Sequence, residues 1–279
     1  MEIRVIGSVG AGRMALTLAR LLNPYGFEFT FYDVNYGSLA RAKKLGYRVY
    51  RELSEMSRVA DAIMISVGHS NYQEAIHTVK KELLESTNRR VKLVFDIASF
   101  KENLLKEYQE YPDDVMVASI HPLFGPGIRD PKHHTVAVIP VPGREGSSIL
   151  ADVFKRAGFK VIVVDAESHD ELVSYTIGAS YLIAVALARA IGKEWERISE
   201  LSGTSFKLLR ILIGSIANDH ADFISHVLTR PGTRSVANRL IDAIADSIRD
   251  PQSSAERIKS LMGGKARLYY EKLYNCIEK

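Results

Sequence analysis

A run of small residues between a strand-like and a helix-like segment sets the tightest limit on how this chain can fold. The apolar stretch Ile3–Val9 runs into Gly7-Ser-Val-Gly-Ala-Gly12-Arg-Met-Ala15, followed by an amphipathic pattern over Met14–Leu22. Glycines there let the backbone turn sharply and approach a diphosphate, while the helix start supplies free N–H groups and a partial positive charge. Two registers fit, Gly10-x-Gly12-x-x-Ala15 and the looser Gly7-x-x-Gly10-x-Gly12. Gly7, Gly10, Gly12, Arg13 and Met14 are therefore candidate cofactor contacts. Asp33 lies 21 residues past Gly12, at the end of a second strand pattern over Glu28–Tyr32. A carboxylate there can bind the adenosine ribose hydroxyls and would repel a 2′-phosphate, which favours NAD; Arg13, able to bind either pyrophosphate or a 2′-phosphate, leaves NADP open. A plain tight turn and a turn aspartate would use the same residue types. Strand, glycines and acid in this order favour the dinucleotide.

The rest of the first half repeats the alternation. Strand patterns at Ala62–Ser66, Lys92–Phe95, Val115–Ser119, Thr135–Ile139 and Lys160–Val164 are interleaved with helical ones at Ser38–Lys44, Tyr72–Leu84 and Lys101–Tyr108. Alternating strands and helices predict a largely parallel sheet, and the near-continuous apolar strands predict helices on both of its faces. After about Asp165 the strand signals stop. Helical patterns follow at His169–Ile191, Glu194–Ser202, Phe206–Asn218, Phe223–Thr229, Arg234–Ile248 and Ser254–Cys276, punctuated by Pro231–Gly232 and Asp250–Pro251. The expected organisation is an α/β Rossmann-type dinucleotide-binding domain over 1–165 and an all-α domain over 166–279. Tyr175–Ile191 is apolar nearly all round. A helix of that kind needs partners on every side, so it is expected to be buried and the helical domain to form a homodimer.

Composition excludes several other classes. Net charge is +4 with the basic residues dispersed along the chain, so no nucleic-acid footprint exists and a small anionic ligand is favoured. No apolar segment reaches about 18 clean residues and no signal-peptide pattern is present, which predicts a cytoplasmic protein without a membrane role. The single cysteine, Cys276, rules out an intrachain disulfide and a cysteine-rich zinc site, and the scattered histidines lack metal-ligand spacing; no metal is expected.

In an open parallel sheet, ligands bind outside the carboxyl ends of the strands. Three later strands end in polar or unusual residues: Ser66-Val67-Gly68-His-Ser70, Asp96-Ile-Ala-Ser99-Phe-Lys101 and Ser119-Ile-His121-Pro-Leu-Phe-Gly-Pro126-Gly127. Val67 and Gly68 are placed to touch the nicotinamide half of a cofactor. His121, before a proline-stiffened loop, is a candidate base, because neutral imidazole can accept a hydroxyl proton while a hydride departs. A structural histidine would also suit that position.

His121-Pro-Leu-Phe-Gly-Pro126, preceded by Asp96-x-x-Ser99-x-Lys101, resembles the prephenate/arogenate dehydrogenase family of tyrosine biosynthesis. The likeness extends from the glycine-rich start through both motifs to His169-Asp-Glu-Leu-Val-Ser-Tyr175. It implies a Rossmann domain, a dimerising helical domain and NAD(P)-dependent oxidative decarboxylation of prephenate, with arogenate as the alternative substrate. It further implies that His121 is the base at the substrate C4 hydroxyl, that Ser99 binds that hydroxyl or orients the imidazole, and that Lys101 gives nearby polar support. Two positions depart from the family. Tyr181 stands where many members carry a substrate-binding histidine, and Ser215 where they carry a carboxylate-binding arginine; Lys207 and Arg210 are candidate replacements, with Arg129, Arg234 and Arg239 further away in the chain.

Overall fold

A computed structural model describes residues 2–101 and 104–277. The chain divides into two compact units, Met1–Asp170 and Glu171–Lys279. The change of texture near 165 falls five residues before that division. The helix beginning at Ala166 stays with the first unit through Asp170, because His169 and Asp170 are hydrogen-bonded to His121 and to the backbone of Lys101.

The first unit is built on one sheet in the order β3-β2-β1-β4-β5-β6-β7-β8. Its strands are β1 (Val5–Val9), β2 (Glu28–Tyr32), β3 (Arg48–Tyr50), β4 (Ala62–Ile65), β5 (Leu93–Asp96), β6 (Met116–Pro122), β7 (Thr135–Pro140) and β8 (Lys160–Val163). All neighbours are parallel except β6 and β7. Order 3-2-1-4-5-6 is the doubly wound dinucleotide-binding arrangement, with the crevice where β1 meets β4. The seven expected strands are present. The additional β3 is a three-residue edge strand, too short and too exposed to leave a periodic signal.

Helices α1 (Arg13–Leu22), α2 (Tyr36–Lys44), α3 (Leu53–Ser57), α4 (Tyr72–Glu85), α5 (Leu104–Glu107) and α6 (Ser147–Arg156) accompany these strands. In α1 the residues Ala15, Leu18, Ala19 and Leu22 are buried, one stripe at i, i+3, i+4, i+7. Two cores result, one on each face of the sheet. Ala62, Met64, Leu93 and Phe95 point into the first, and Ile63, Ile65, Val94 and Val117 into the second. That double burial is why β4 and β5 read as unbroken apolar runs. Of the helix expected over Lys101–Tyr108, residues 102 and 103 lie outside the described residues and Leu104–Glu107 is helical. Helix α6 has no counterpart among the expected helices; Ser147, Ser148 and Asp152 dilute its short apolar stripe.

The chain leaves the first unit within α7 (Ala166–Val173). In the second unit a wider turn over Ser174–Gly178 leads into α8 (Ala179–Ile191), then α9 (Trp195–Glu200), α10 (Thr204–Ala217), α11 (Ala221–Thr229), α12 (Pro231–Arg249), α13 (Pro251–Met262) and α14 (Ala266–Ile277). Pro231 occupies the first turn of α12, where its missing N–H costs nothing. The single helix expected over Ser254–Cys276 is broken at Gly263, whose φ of 49° lies outside the helical region. Nor is the apolar segment buried within the chain. Only Tyr181 and Ala184 of α8 are fully covered, and Ile183 is 43% exposed. The continuous helical run Ala166–Glu200 is long and apolar enough to cross a membrane by length and composition.

Candidate active site

The glycine turn is built as its chemistry requires. β1 ends at Val9 and α1 begins at Arg13, so the turn proper is Gly10-Ala-Gly12, the first of the two registers. Gly10 has φ of 101°, and a Cβ there would lie 2.1 Å from the Ser66 carbonyl oxygen; no side chain fits. Around Gly12 nothing stands within 4 Å of where a Cβ would be. The start of α1 has no side-chain cap and no acidic residue in its first turn, leaving N–H groups and the positive helix end for an anion. Gly7, by contrast, lies inside β1, where a side chain would run into Met56 at 2.9 Å. Its lack of a side chain serves packing inside β1. Arg13 is exposed at the first position of α1, and Met14 packs partly into the core.

Asp33 closes this corner. Its Oδ2 accepts the Ala11 N–H at 2.8 Å and its Oδ1 accepts the Asn35 N–H at 2.8 Å. The carboxylate therefore holds the glycine turn and the start of the α2 segment, with remaining acceptor capacity for ribose hydroxyls. Val67 lies beside Gly10, 3.3 Å from where a Cβ there would stand, and exposed Gly68 follows. Turn, open helix end and acid fit an adenine dinucleotide.

A second constellation forms at the ends of β5 and β6. The β5–β6 pairing ends at Asp96 opposite Ser119, and β6 continues three residues beyond, to Pro122, carrying His121 past the end of its parallel neighbour. The loop after it is fastened by Thr17, whose hydroxyl donates to the Pro126 carbonyl at 3.0 Å, and by Phe124 stacked on Phe159. His121 is buried, and burial first, then the Lys101 ammonium and His169, hold its pKa well below the ordinary histidine value. Its Nδ1 lies 3.0 Å from His169 Nε2, and His169 Nδ1 lies 2.8 Å from Asp170 Oδ1.

Lys101 turns its side chain inward. Its side chain is fully buried, and Nζ donates to Asp96 Oδ1 at 2.9 Å and to the Ile120 carbonyl at 2.7 Å. Asp96 also accepts from the Tyr108 hydroxyl at 3.0 Å and the Ala98 N–H at 2.8 Å. A buried ammonium of this kind is retained by its carboxylate partner. Ser99 is half-buried in the turn after β5. His169, Asp170 and Asp96 went unassigned in the sequence reading. Their only signal was membership of the two motifs, because the chain separation between His121 and His169 conceals their contact.

In the second unit, Tyr181 is buried on α8 and its hydroxyl donates to Asp219, just beyond α10. Burial, then Asp219, raises the phenol pKa. Lys207 is exposed and Arg210 half-buried, both on α10; Ser215 is exposed in the last turn of that helix.

Residues 5–116 match the model of the NAD binding domain of 6-phosphogluconate dehydrogenase. Fold, turn and match together make the first unit an NAD-binding domain. A Methanocaldococcus jannaschii protein named "Probable arogenate/prephenate dehydrogenase" is 24% identical over 77% of this chain and 49% of its own length. The cyclohexadienyl dehydrogenase of Zymomonas mobilis is 25% identical over 65% of each chain. Over most of its length the chain is thus similar to proteins named arogenate/prephenate or cyclohexadienyl dehydrogenase. It spans about half to two thirds of the length of these curated relatives. The crystal structure of Synechocystis arogenate dehydrogenase has the same fold, with a TM-score of 0.68 at 15% identity, covering 95% of this chain and 99% of that one.

Proposed function

We propose that this protein is an NAD-dependent prephenate dehydrogenase, converting prephenate and NAD⁺ to 4-hydroxyphenylpyruvate, CO₂ and NADH in tyrosine biosynthesis. The observation that carries the reading is His121: a buried imidazole held uncharged, at the carboxyl end of β6, inside the Pro-Leu-Phe-Gly-Pro loop. Bound at the glycine turn, the nicotinamide cofactor supplies the hydride acceptor. The α1 N-terminus and Gly12 hold its pyrophosphate, Asp33 its ribose, and Val67 and Gly68 flank its nicotinamide half. His121 takes the proton of the C4 hydroxyl as the C4 hydride leaves. The ring C–COO⁻ bond then breaks, its electron pair makes the ring aromatic, and the proton returns to what is now a phenol oxygen. Ser99 hydrogen-bonds the same hydroxyl. Lys207 and Arg210 of α10 supply positive charge for a dianionic substrate in place of the arginine that Ser215 replaces.

Arogenate dehydrogenation is the second reading, and one observation favours it. Tyr181, at the position matched to the family's substrate histidine, carries the Asp219 carboxylate with it. Negative charge there suits a substrate ammonium better than a keto group.

The working unit is a homodimer in the cytoplasm. Ile241, Ile244 and Ile248 form an exposed stripe on α12, 64%, 60% and 78% accessible, and the apolar face of α8 is likewise uncovered in a single chain. A second copy, rather than lipid or nucleic acid, is the partner proposed for these faces.

NADH formation by the purified protein, with prephenate and arogenate each offered NAD and NADP, tests the reading. Prephenate with NAD is expected to turn over fastest. Silence in all four mixtures while NAD still binds overturns it.

A further inference from the structure

An imidazole acts as a base only through a bare ring nitrogen, and neutral His121 has two tautomers. Its surroundings select one. A carboxylate only accepts, so the 2.8 Å contact between His169 Nδ1 and Asp170 Oδ1 puts the His169 proton on Nδ1. In neutral His169 that leaves Nε2 bare, and this atom lies 3.0 Å from His121 Nδ1. His121 Nδ1 must then donate, and His121 Nε2 is left unprotonated. Asp170 is itself held in place: both of its carboxylate oxygens lie 3.0 Å from the Lys101 backbone N–H. Both histidines are buried, which shields the His121–His169 bond from water.

We propose that His169 and Asp170 are positioning residues for His121, fixing its ring orientation and its Nδ1–H tautomer so that Nε2 is the basic atom. The inference rests on the dehydrogenase reading for its use, but not for its geometry. In the reaction the substrate O–H bond breaks and an Nε2–H bond forms on His121. The charge so created is shared through Nδ1–H to His169 and, through His169 Nδ1–H, with Asp170. No proton leaves the protein by this route, and the one on Nε2 returns to the product oxygen. The ion pair of Lys101 with Asp96 contributes differently. It anchors the Ile120 carbonyl next to His121 and places positive charge near the ring, opposing early protonation.

Nitrogen-15 NMR of the histidine rings in the substrate-free protein tests this without reference to any activity. His121 is expected to show a protonated Nδ1 and a bare Nε2 at neutral pH. A protonated Nε2 overturns the proposal. His169→Asn and Asp170→Ala complete the test in the assay above. A wrong tautomer in a comparable base is worth about 10⁴-fold, so kcat is expected to fall by roughly 10²-fold or more, with KM and NAD affinity within about threefold of wild type. Asp170→Asn, whose amide can donate as well as accept and so admits the other His169 tautomer, is expected to lose kcat in the same way. Unchanged kcat in His169→Asn overturns the proposal while leaving the dehydrogenase reading intact. If no substrate turns over, that reading fails and the NMR tautomer still decides this one.

Discussion

At His121 two demands meet, since a general base must be uncharged at working pH and must present a lone pair. Desolvation meets the first, with the Lys101 charge adding to it. Because the folded pKa is depressed, the base form persists well below pH 6.5, and protonation sets in only under that value. The acidic limb of kcat/KM, which reports groups of the free enzyme, is therefore expected to fall below pH 6.5; a midpoint at or above it would speak against a desolvated His121 as base. His121→Asn is expected to lower kcat about 10²–10⁴-fold with NAD affinity kept, checked by steady-state kinetics and cofactor titration. Asp33 is the other residue whose charge has a measurable consequence. Asp33→Asn preserves shape but removes the charge that repels a 2′-phosphate, and the NAD-over-NADP preference is expected to narrow about tenfold in kcat/KM. Unchanged discrimination would transfer that role to Arg13.

Among the elements, β5, β6 and the turn between Asp96 and Lys101 form one electrostatic unit. Asp96 ends β5 and accepts from Lys101 Nζ, Tyr108 and the Ala98 N–H, and Lys101 returns to β6 through the Ile120 carbonyl. Burial lowers the Lys101 pKa, with Asp96 opposing. Lys101→Met removes the cation and strands a buried carboxylate, with an expected loss of about 3–5 kcal/mol in denaturant unfolding. The double variant with Asp96→Asn should recover part of that loss, and a single variant as stable as wild type would show that the pair contributes nothing net. The strands themselves were legible for a different reason. Their apolar runs come from burial on both faces, a property each strand carries in its own residues. The break at Gly263 and the short β3 were not legible, because neither leaves a periodic signal.

At the scale of the whole molecule, the second unit leaves apolar helical faces uncovered in a single chain. The stripe at Ile241, Ile244 and Ile248 repeats at i, i+3, i+7, the spacing of a face that packs against another helix. Light scattering is expected to give twice the chain mass. Ile244→Glu, which places charge in the stripe, should shift the protein to monomer, and a monomeric wild type would remove the dimer from the proposal.

What the sequence determined by itself is what short-range order can encode. The glycine turn, Asp33 at the end of β2, the two-sided sheet and the change to helices are each contained within a few consecutive residues whose spacing follows from strand or helix geometry. The tertiary structure decided the partnerships. Lys101, read as nearby polar support, is committed to Asp96, while His169, which carried no assigned task, lies against His121 and is itself held by Asp170. The reason is distance along the chain. Residues 48 apart are brought within hydrogen-bonding reach by the sheet and by α7 folding back upon it, and no periodicity in either segment records which side chain will meet which.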